Sequence, residues 1–507
     1  MKVKTRFLFV QPETENIGIE CLSAALKKYG FPVSLVYLPR PFDNIAFRLI
    51  KNKNGTDEEK VERKIRIFRP DIVCFSPFTS QYAWAVKQAK RIKQKFPKIT
   101  ILFGGVHVNS VPELVIGNNW VDAIVVGEGD EPIVQFGKYF KTKKLLELKS
   151  VWIKDGGKTY KNSLAILPKN LDELPMPDKD IFYDQIPKPL RSYSYVIMGS
   201  RGCPFACAYC SNNVYQKLYL GQNRLRFRSP ENIIQELSEA KRKYGFKLVE
   251  FFDDVITIDE KRLRKLLKLY RQQINLPFTC YLHPQLASER IIQELKKAKC
   301  CWLKLGVQSA NEDYRKKILH RYETNEEILK VCRWCHQYKL DFSLDHIINL
   351  PGETEEDLVG AVRLYNQCRP KIINFGSLIY LPKTDIIKQG LEEGIITKRD
   401  VKKINQGEDR VSRLANIDLF CYQYKKQKVT NISVIVMLLM LILITPGWFI
   451  ERLLKWKIYQ WKFQIPKGVL VAIKILTKIK VRQMYLYFSV LQTSAYYWLH
   501  KDKTETV

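Results

Sequence analysis

Ser200-Arg201-Gly202-Cys203-Pro204-Phe205-Ala206-Cys207-Ala208-Tyr209-Cys210 is the stretch on which the reading of this 507-residue chain turns. It sets three cysteines in a C-x3-C-x2-C spacing, with an aromatic residue, Tyr209, just before the last of them. Three thiolates so spaced on one loop can ligate three irons of a [4Fe-4S] cubane, a cluster that normally takes four cysteines, so one iron is left open for a small ligand. A β-branched and aromatic run, Tyr193 to Met198, leads straight into the loop. The cluster would then sit at the carboxyl end of a strand, where barrel folds carry their chemistry. The rival reading is chance, since twelve cysteines are scattered along the chain and most buried cysteines act as small hydrophobes.

Working outward from the loop, six strand candidates alternate with helical patterns: Tyr193 to Met198, Leu248 to Phe252, Phe278 to Leu282, Trp302 to Leu305, Phe342 to Ile348 and Ile373 to Tyr380. Six βα units fit a partial, TIM-like (β/α)6 barrel over residues 191–398, two repeats short of closure. Residues 1–150 also alternate short apolar runs with amphipathic helices, which predicts a Rossmann-like parallel α/β sheet. Its strand candidates are Arg6 to Val10, Val33 to Tyr37, Ile72 to Ser76, Ile99 to Phe103 and Ala123 to Val126. Ser76, the pair Gly104 and Gly105, and Gly127-Glu128 stand at the carboxyl ends of these runs, where small residues let a ligand approach the backbone. The proline-rich and acidic Leu171 to Asp178 predicts a linker over residues 151–190. Residues 399–507 predict a helical tail.

Together these features resemble the radical S-adenosylmethionine (SAM) enzymes that carry a cobalamin-binding domain ahead of the barrel. The resemblance rests on the cysteine loop and on Asn16-Ile17-Gly18-Ile19, Ser76-Pro77-Phe78, Phe103-Gly104-Gly105-Val106-His107 and Val126-Gly127-Glu128-Gly129-Asp130-Glu131. It implies three cofactors: a [4Fe-4S] cluster on Cys203, Cys207 and Cys210, SAM on the open iron, and cobalamin over Ser76, Gly104, Gly105, Gly127 and Glu128. No D-x-H-x-x-G occurs, so cobalamin is expected without a protein histidine on cobalt; His107 would face the corrin edge or a local hydrogen bond. Tyr209 belongs to the same cysteine motif. Asp253 or Asp254, after the second barrel strand, is expected to take the SAM ammonium, a charge-assisted bond, unless the pair only caps the next helix. Gly306-Val307-Gln308-Ser309 resembles the fourth-strand motif near the SAM ribose or carboxylate, with Gln308 where relatives carry Glu. Asn349-Leu350-Pro351-Gly352-Glu353-Thr354 and Leu381-Pro382-Lys383-Thr384 are similar to two further loop motifs, each with a glycine replaced. Arg226 and Arg228 are equally open to a cofactor, substrate or purely structural role. Cys332-Arg333-Trp334-Cys335-His336 fits a haem-attachment spacing but lies inside an apolar-periodic helix, Asn325 to Tyr338, and is read as helix face.

The chain carries 84 Lys and Arg against 52 Asp and Glu, a formal charge of +32. No arginine-rich patch with interleaved aromatics occurs, so a membrane surface is expected rather than nucleic acid. Unpaired cysteines and the absence of a signal-like start point to a reducing compartment and the cytoplasmic face of the membrane. Val429 to Ile450 is uncharged over 22 residues between Lys and Arg clusters. That length spans a bilayer core; Thr445-Pro446-Gly447 equally permits a re-entrant hairpin, and a buried helix of a C-terminal subdomain is the third option. Gly468 to His500 is expected as an interfacial helix.

The resemblance implies methylation of an unactivated carbon at the cost of two SAM, one to methylate cobalt and one to yield an adenosyl radical. An electron donor such as ferredoxin or flavodoxin is implied as partner. The apolar tail adds the expectation of a lipid or lipid-linked substrate. Ring formation or another radical rearrangement, and a non-catalytic cofactor-binding scaffold or sensor, are the rival functions.

Overall fold

A computed structural model describes residues 4–39, 56–186, 188–408 and 432–460. In the N-terminal half, β1 (Phe7–Glu13), β2 (Val33–Pro39), β3 (Ile72–Phe75), β4 (Thr100–Phe103) and β5 (Ala123–Val125) pair in parallel. Their cores are nearly continuous apolar runs, such as Phe7 to Val10 and Ile72 to Phe75, buried on both faces because helices cover both sides of a parallel sheet. Residues 151–161, expected as the start of the linker, instead extend this sheet: β6 (Val151–Asp155) and β7 (Lys158–Lys161) add antiparallel at the β5 edge. Gly156 and Gly157 make the turn between them, both with positive φ. The order is β2-β1-β3-β4-β5-β6-β7. It reverses direction at β1 and β3, the point at which such sheets bind ligands outside their carboxyl ends.

The linker is anchored more firmly than its composition implies. Lys179 is buried between Glu15 (2.7 Å) and Glu20 (2.8 Å), and Asp178 accepts from Ser23 Oγ at 2.6 Å. Burial pushes the Glu20 carboxyl up, against the pull of the Lys179 ammonium. These contacts tie residues 178–183 to the helix Ile17–Lys28.

The second half holds β8 (Ser194–Ile197), a two-stranded β9 (Ser200–Arg201) and β10 (Arg226–Phe227) pair, and then β11 (Leu248–Phe251), β12 (Phe278–Leu282), β13 (Cys300–Gln308), β14 (Phe342–Ile348) and β15 (Ile372–Ser377). The six long strands form one parallel sheet in the order β8-β11-β12-β13-β14-β15. Its two edge strands do not pair with each other, so the barrel is open, as six βα units predict. Side chains alternate: Leu303, Leu305 and Val307 pack outward into the helical layer, and Trp302, Lys304, Gly306 and Gln308 take the other face, toward the lumen. Cys332 and Cys335 are buried on the helix Asn325–Gln337, as helix-face residues.

Within its described residues, 432–450, the apolar run Val429 to Ile450 is not one continuous helix. Residues 429–431, and the expected interfacial segment 468–500, lie outside the described residues. The helix Ile432–Leu441 ends at Leu441; the chain then turns through 442–446 into a second helix, Gly447–Lys455. Among the described residues no helix is long and apolar enough to cross a membrane. Pro446 cannot continue a helix, and the turn is held by the barrel: Asn366 Nδ2 donates to Gly447 O (3.1 Å) and Glu451 Oε1 (2.9 Å). Val434, Ile435, Leu438 and Leu439 are fully buried, in the same core as the helix Glu355–Cys368. A helix apolar all round must be buried, and protein serves that purpose as well as lipid. Each such side chain contributes about 2 kcal/mol of burial. Leu439→Ala should therefore destabilise the barrel by about 3 kcal/mol, read as a lower denaturant midpoint by circular dichroism; an unchanged midpoint would return the segment to the membrane.

Candidate active site

The cysteine loop is fastened at almost every residue. Gly202 has φ +89, and a Cβ there would lie 2.5 Å from the carbonyl oxygen of Arg224, so the turn into Cys203 requires glycine. Ala208 N donates to Leu319 O (3.0 Å), Gln216 Nε2 to Phe205 O (2.8 Å), and Cys210 begins the helix Ser211–Leu218. The Phe205 ring stacks on His283 at 3.8 Å. Cys203, Cys207 and Cys210 carry free thiols. Burial pushes the Cys203 thiol up to about 12, so iron must displace its proton on binding. Among the described residues no three Cys, His, Asp or Glu side chains gather on one point that would hold a single metal ion. A cubane asks for something else, one iron per thiolate.

Behind Cys207 lies a buried charge cluster that the sequence reading missed. Arg321 places Nη1 3.7 Å from Cys207 Sγ and 3.4 Å from Tyr209 Oη, Nη2 2.7 Å from Gly306 O and Nε 2.7 Å from Glu323 Oε1. Arg315, fully buried, holds Ser309 O and Glu323 O. His283 is kept neutral, its pKa pushed down to about 2 by burial and by Arg321. Two arginines thus face one carboxylate, which leaves positive charge beside the cysteine loop, suited to a cluster held by three thiolates. A basic residue twelve positions past Ser309 of the Gly306-Val307-Gln308-Ser309 stretch was the available signal, but nothing in its spacing separates Arg321 from the surface lysines around it.

The two carboxylates after β11 part company. Asp253 is buried and accepts from Gly199 N (3.1 and 3.0 Å) and from Ser200 Oγ, which fixes the turn before the cysteines. Asp254 instead faces a cavity beside Cys203, and Asn212 donates to it at 3.1 Å. Gln308 sits at an irregular β13–β14 register with φ +69, and Ser309 is buried with its Oγ turned to Asn311 N. The two lost loop glycines kept their conformation: Asn349 has φ +62 and Lys383 φ +64. Asparagine tolerates that region, and Glu353 accepts from Asn349 N at 2.9 Å to hold it.

The cavity has a volume of about 830 Å³ and lies between the two halves of the chain. One wall is the carboxyl edge of the N-terminal sheet, Asn16 to Gly18, Ser76 to Phe78, Gly104, Gly105 and Gly127 to Asp130; the other is Met198, Cys203, Tyr215, Phe252 and Asp254. Gly105 has φ +85, and a Cβ there would meet Ser76 Oγ at 2.6 Å, so the strand ends form a cradle that glycine alone keeps open. Glu128 lines it, but its carboxylate is held by Arg201 (2.7 Å) and Arg226. Arg228 is bound to Glu236 (2.6 Å), a structural role. His107 is fully buried away from the cavity, stacked on Tyr82 at 4.2 Å and 3.2 Å from Thr79 Oγ1; burial pushes its pKa down to about 4.

The radical SAM superfamily profile matches residues 197–365, and the B12 binding domain profile matches residues 5–136. The chain is a cobalamin-binding radical SAM enzyme. An uncharacterized methyltransferase of Pyrococcus horikoshii is 27% identical over 377 residues, covering 72% of this chain and 78% of that one. The anaerobic magnesium-protoporphyrin IX monomethyl ester cyclase of Cereibacter sphaeroides is 23% identical over 411 residues, 76% of this chain but only 63% of the cyclase. The cobalamin-dependent S-adenosylmethionine radical enzyme OxsB shares the fold with a TM-score of 0.66 at 14% identity, over 98% of this chain and 81% of that one. The cofactors of this radical SAM enzyme are a [4Fe-4S] cluster, SAM and cobalamin. The cavity fits them: cysteines and Asp254 on one wall, a glycine cradle without an available histidine on the other.

Two outcomes follow. Anaerobically reconstituted enzyme should hold about four irons per chain, and a Cys203→Ala, Cys207→Ala, Cys210→Ala variant should lose them, by colorimetric iron assay. The paramagnetic resonance spectrum of enzyme-bound cobalt(II) cobalamin should lack nitrogen axial splitting; clear splitting would mean that His107 leaves its packed position.

Proposed function

We propose that this enzyme methylates an unactivated carbon of a lipid or lipid-linked substrate, consuming two SAM per methyl group. The observation that carries the reading is the single cavity bounded by both the cysteine loop and the glycine strand ends. A substrate carbon there lies within reach of both cofactors. When bound, the cluster with SAM supplies a hydrogen-abstracting radical and cobalamin a transferable methyl group; the chain supplies orientation and a closed site.

Cys203, Cys207 and Cys210 hold the cluster. Asp254 accepts the SAM ammonium and Gln308 approaches its ribose or carboxylate, while Tyr209 and Ser309 support them through Arg321 and Arg315. Asp253 acts at one remove, by fixing the turn at Gly199 and Ser200. Ser76, Gly104, Gly105 and Gly127 carry cobalamin, with Glu128 holding the cradle to the cysteine loop through Arg201. A ferredoxin or flavodoxin delivers the electrons.

Contact with the cytoplasmic face of a membrane remains the basis for a lipid substrate, in a peripheral form. Trp448 and Trp456 are 65% and 56% exposed, beside exposed Lys455 and Lys457 on the terminal helical segment. Amphipathic indole rings flanked by lysine suit the headgroup level.

Reconstituted enzyme given SAM, a low-potential reductant and membrane lipid extract should form a methylated product, S-adenosylhomocysteine and 5′-deoxyadenosine in about equal amounts, by liquid chromatography and mass spectrometry. Radical turnover giving a product without an added methyl would favour ring formation, the activity named for the cyclase relative.

A further inference from the structure

The barrel lumen holds a cation that belongs neither to the cysteine loop nor to the glycine cradle. On β13, Lys304 points to the lumen face, in register with Tyr281 of β12. Its Nζ donates to Tyr281 Oη at 3.2 Å and stands 4.6 Å from that ring's centre and 5.7 Å from that of Phe252. The two rings meet edge to face at 6.2 Å and 88°. Phe252 is 42% exposed and also lines the 830 Å³ cavity, so this aromatic corner opens directly onto the space between the cofactor walls.

Two acids lie at neighbouring levels of the lumen. Asp345 accepts from Asn374 Nδ2 at 2.8 Å, and burial pushes its carboxyl up against the pull of the Lys304 and Arg321 charges; Glu250 pairs with Thr279, two residues before Tyr281 on β12. Among the described residues no carboxylate stands within 4 Å of Lys304 Nζ, although the Lys304 charge pulls on Asp345. A half-buried ammonium whose only hydrogen bond is to a phenol, and whose facing carboxylate Asp345 acts on it only across a distance, keeps donor capacity for a closer anion.

We propose that Lys304 and Tyr281 bind an oxyanion, phosphate or carboxylate, carried by an apolar substrate whose neighbouring carbons lie against Phe252. This rests on the proposed function and narrows its substrate to an apolar molecule with one anionic group. Lysine is a point charge that accepts either oxyanion, and the aromatic corner gives the apolar part its place.

The test uses full-length reconstituted enzyme and follows reductive dimethylation of Lys304 by peptide mass spectrometry. Dihexanoylphosphatidic acid should slow that labelling about tenfold relative to sodium chloride of equal ionic strength, the scale of a charge-assisted hydrogen bond, and by more than inorganic phosphate does. Exposed Lys268 should label alike throughout. Phe252→Ala should bring the phospholipid's protection down to that of phosphate. Equal rates at Lys304 with and without both anions overturn the oxyanion site; phosphate as protective as the phospholipid overturns the apolar half. Iron content and 5′-deoxyadenosine formation on the same preparation test the radical reading separately.

Discussion

Arg201 and Arg226, flanking the cysteine loop, close on Glu128 and Asp130 from the end of β5, and the distance between the two cofactor walls depends on this joint. Arg201 holds both acids at 2.7 Å, and Tyr219 Oη accepts from Glu128 N at 2.7 Å. Asn109 completes the link, accepting from Gly127 N at 2.6 Å and donating to Tyr215 Oη at 2.5 Å. A buried ion pair adds little net stability, because desolvation offsets its attraction, but breaking one side leaves an uncompensated charge. Such a joint is stiff against partial opening. That suits a site whose two walls would each hold a different cofactor at a fixed separation.

Charge burial recurs wherever this fold must hold a position. Lys179 is locked between Glu15 and Glu20 under the interdomain segment, and Arg315, Glu323 and Arg321 lie under Cys207. The first makes a polar linker into a fixed strap; the second leaves positive charge beside three future thiolates. Asp253 does the same with neutral donors, its carboxyl pushed up by burial while Gly199 and Ser200 hold it. Each is a place where desolvation is high and geometry has few alternatives.

The C-terminal helix Ile432–Leu441 carries the opposite lesson. Its composition satisfies the hydropathy of a membrane span, yet the demand for burial is met by the outer helices of the barrel. The ten described residues of this helix rise about 15 Å, half of a bilayer core, before the chain turns at 442. The break at Thr445-Pro446-Gly447 decided its fate, together with Asn366 and Arg369, which bond to the turn from a helix some eighty residues earlier.

By itself the sequence determined what local chemistry can encode. The cysteine spacing pointed to the cluster, strand periodicity named both sheets, and the missing D-x-H-x-x-G set the expectation of cobalamin without a protein histidine on cobalt. Glycines at strand ends marked the cradle because only they admit such close approach. Tertiary structure decided what depends on which surfaces meet. It turned Asp253 inward and Asp254 toward the cavity, a choice invisible in two adjacent identical residues. It gave Glu128 to two arginines, added β6 and β7 to the sheet edge, and brought Arg321 under a cysteine more than a hundred residues away. Burial and desolvation are properties of packed neighbours, and no spacing along the chain records them.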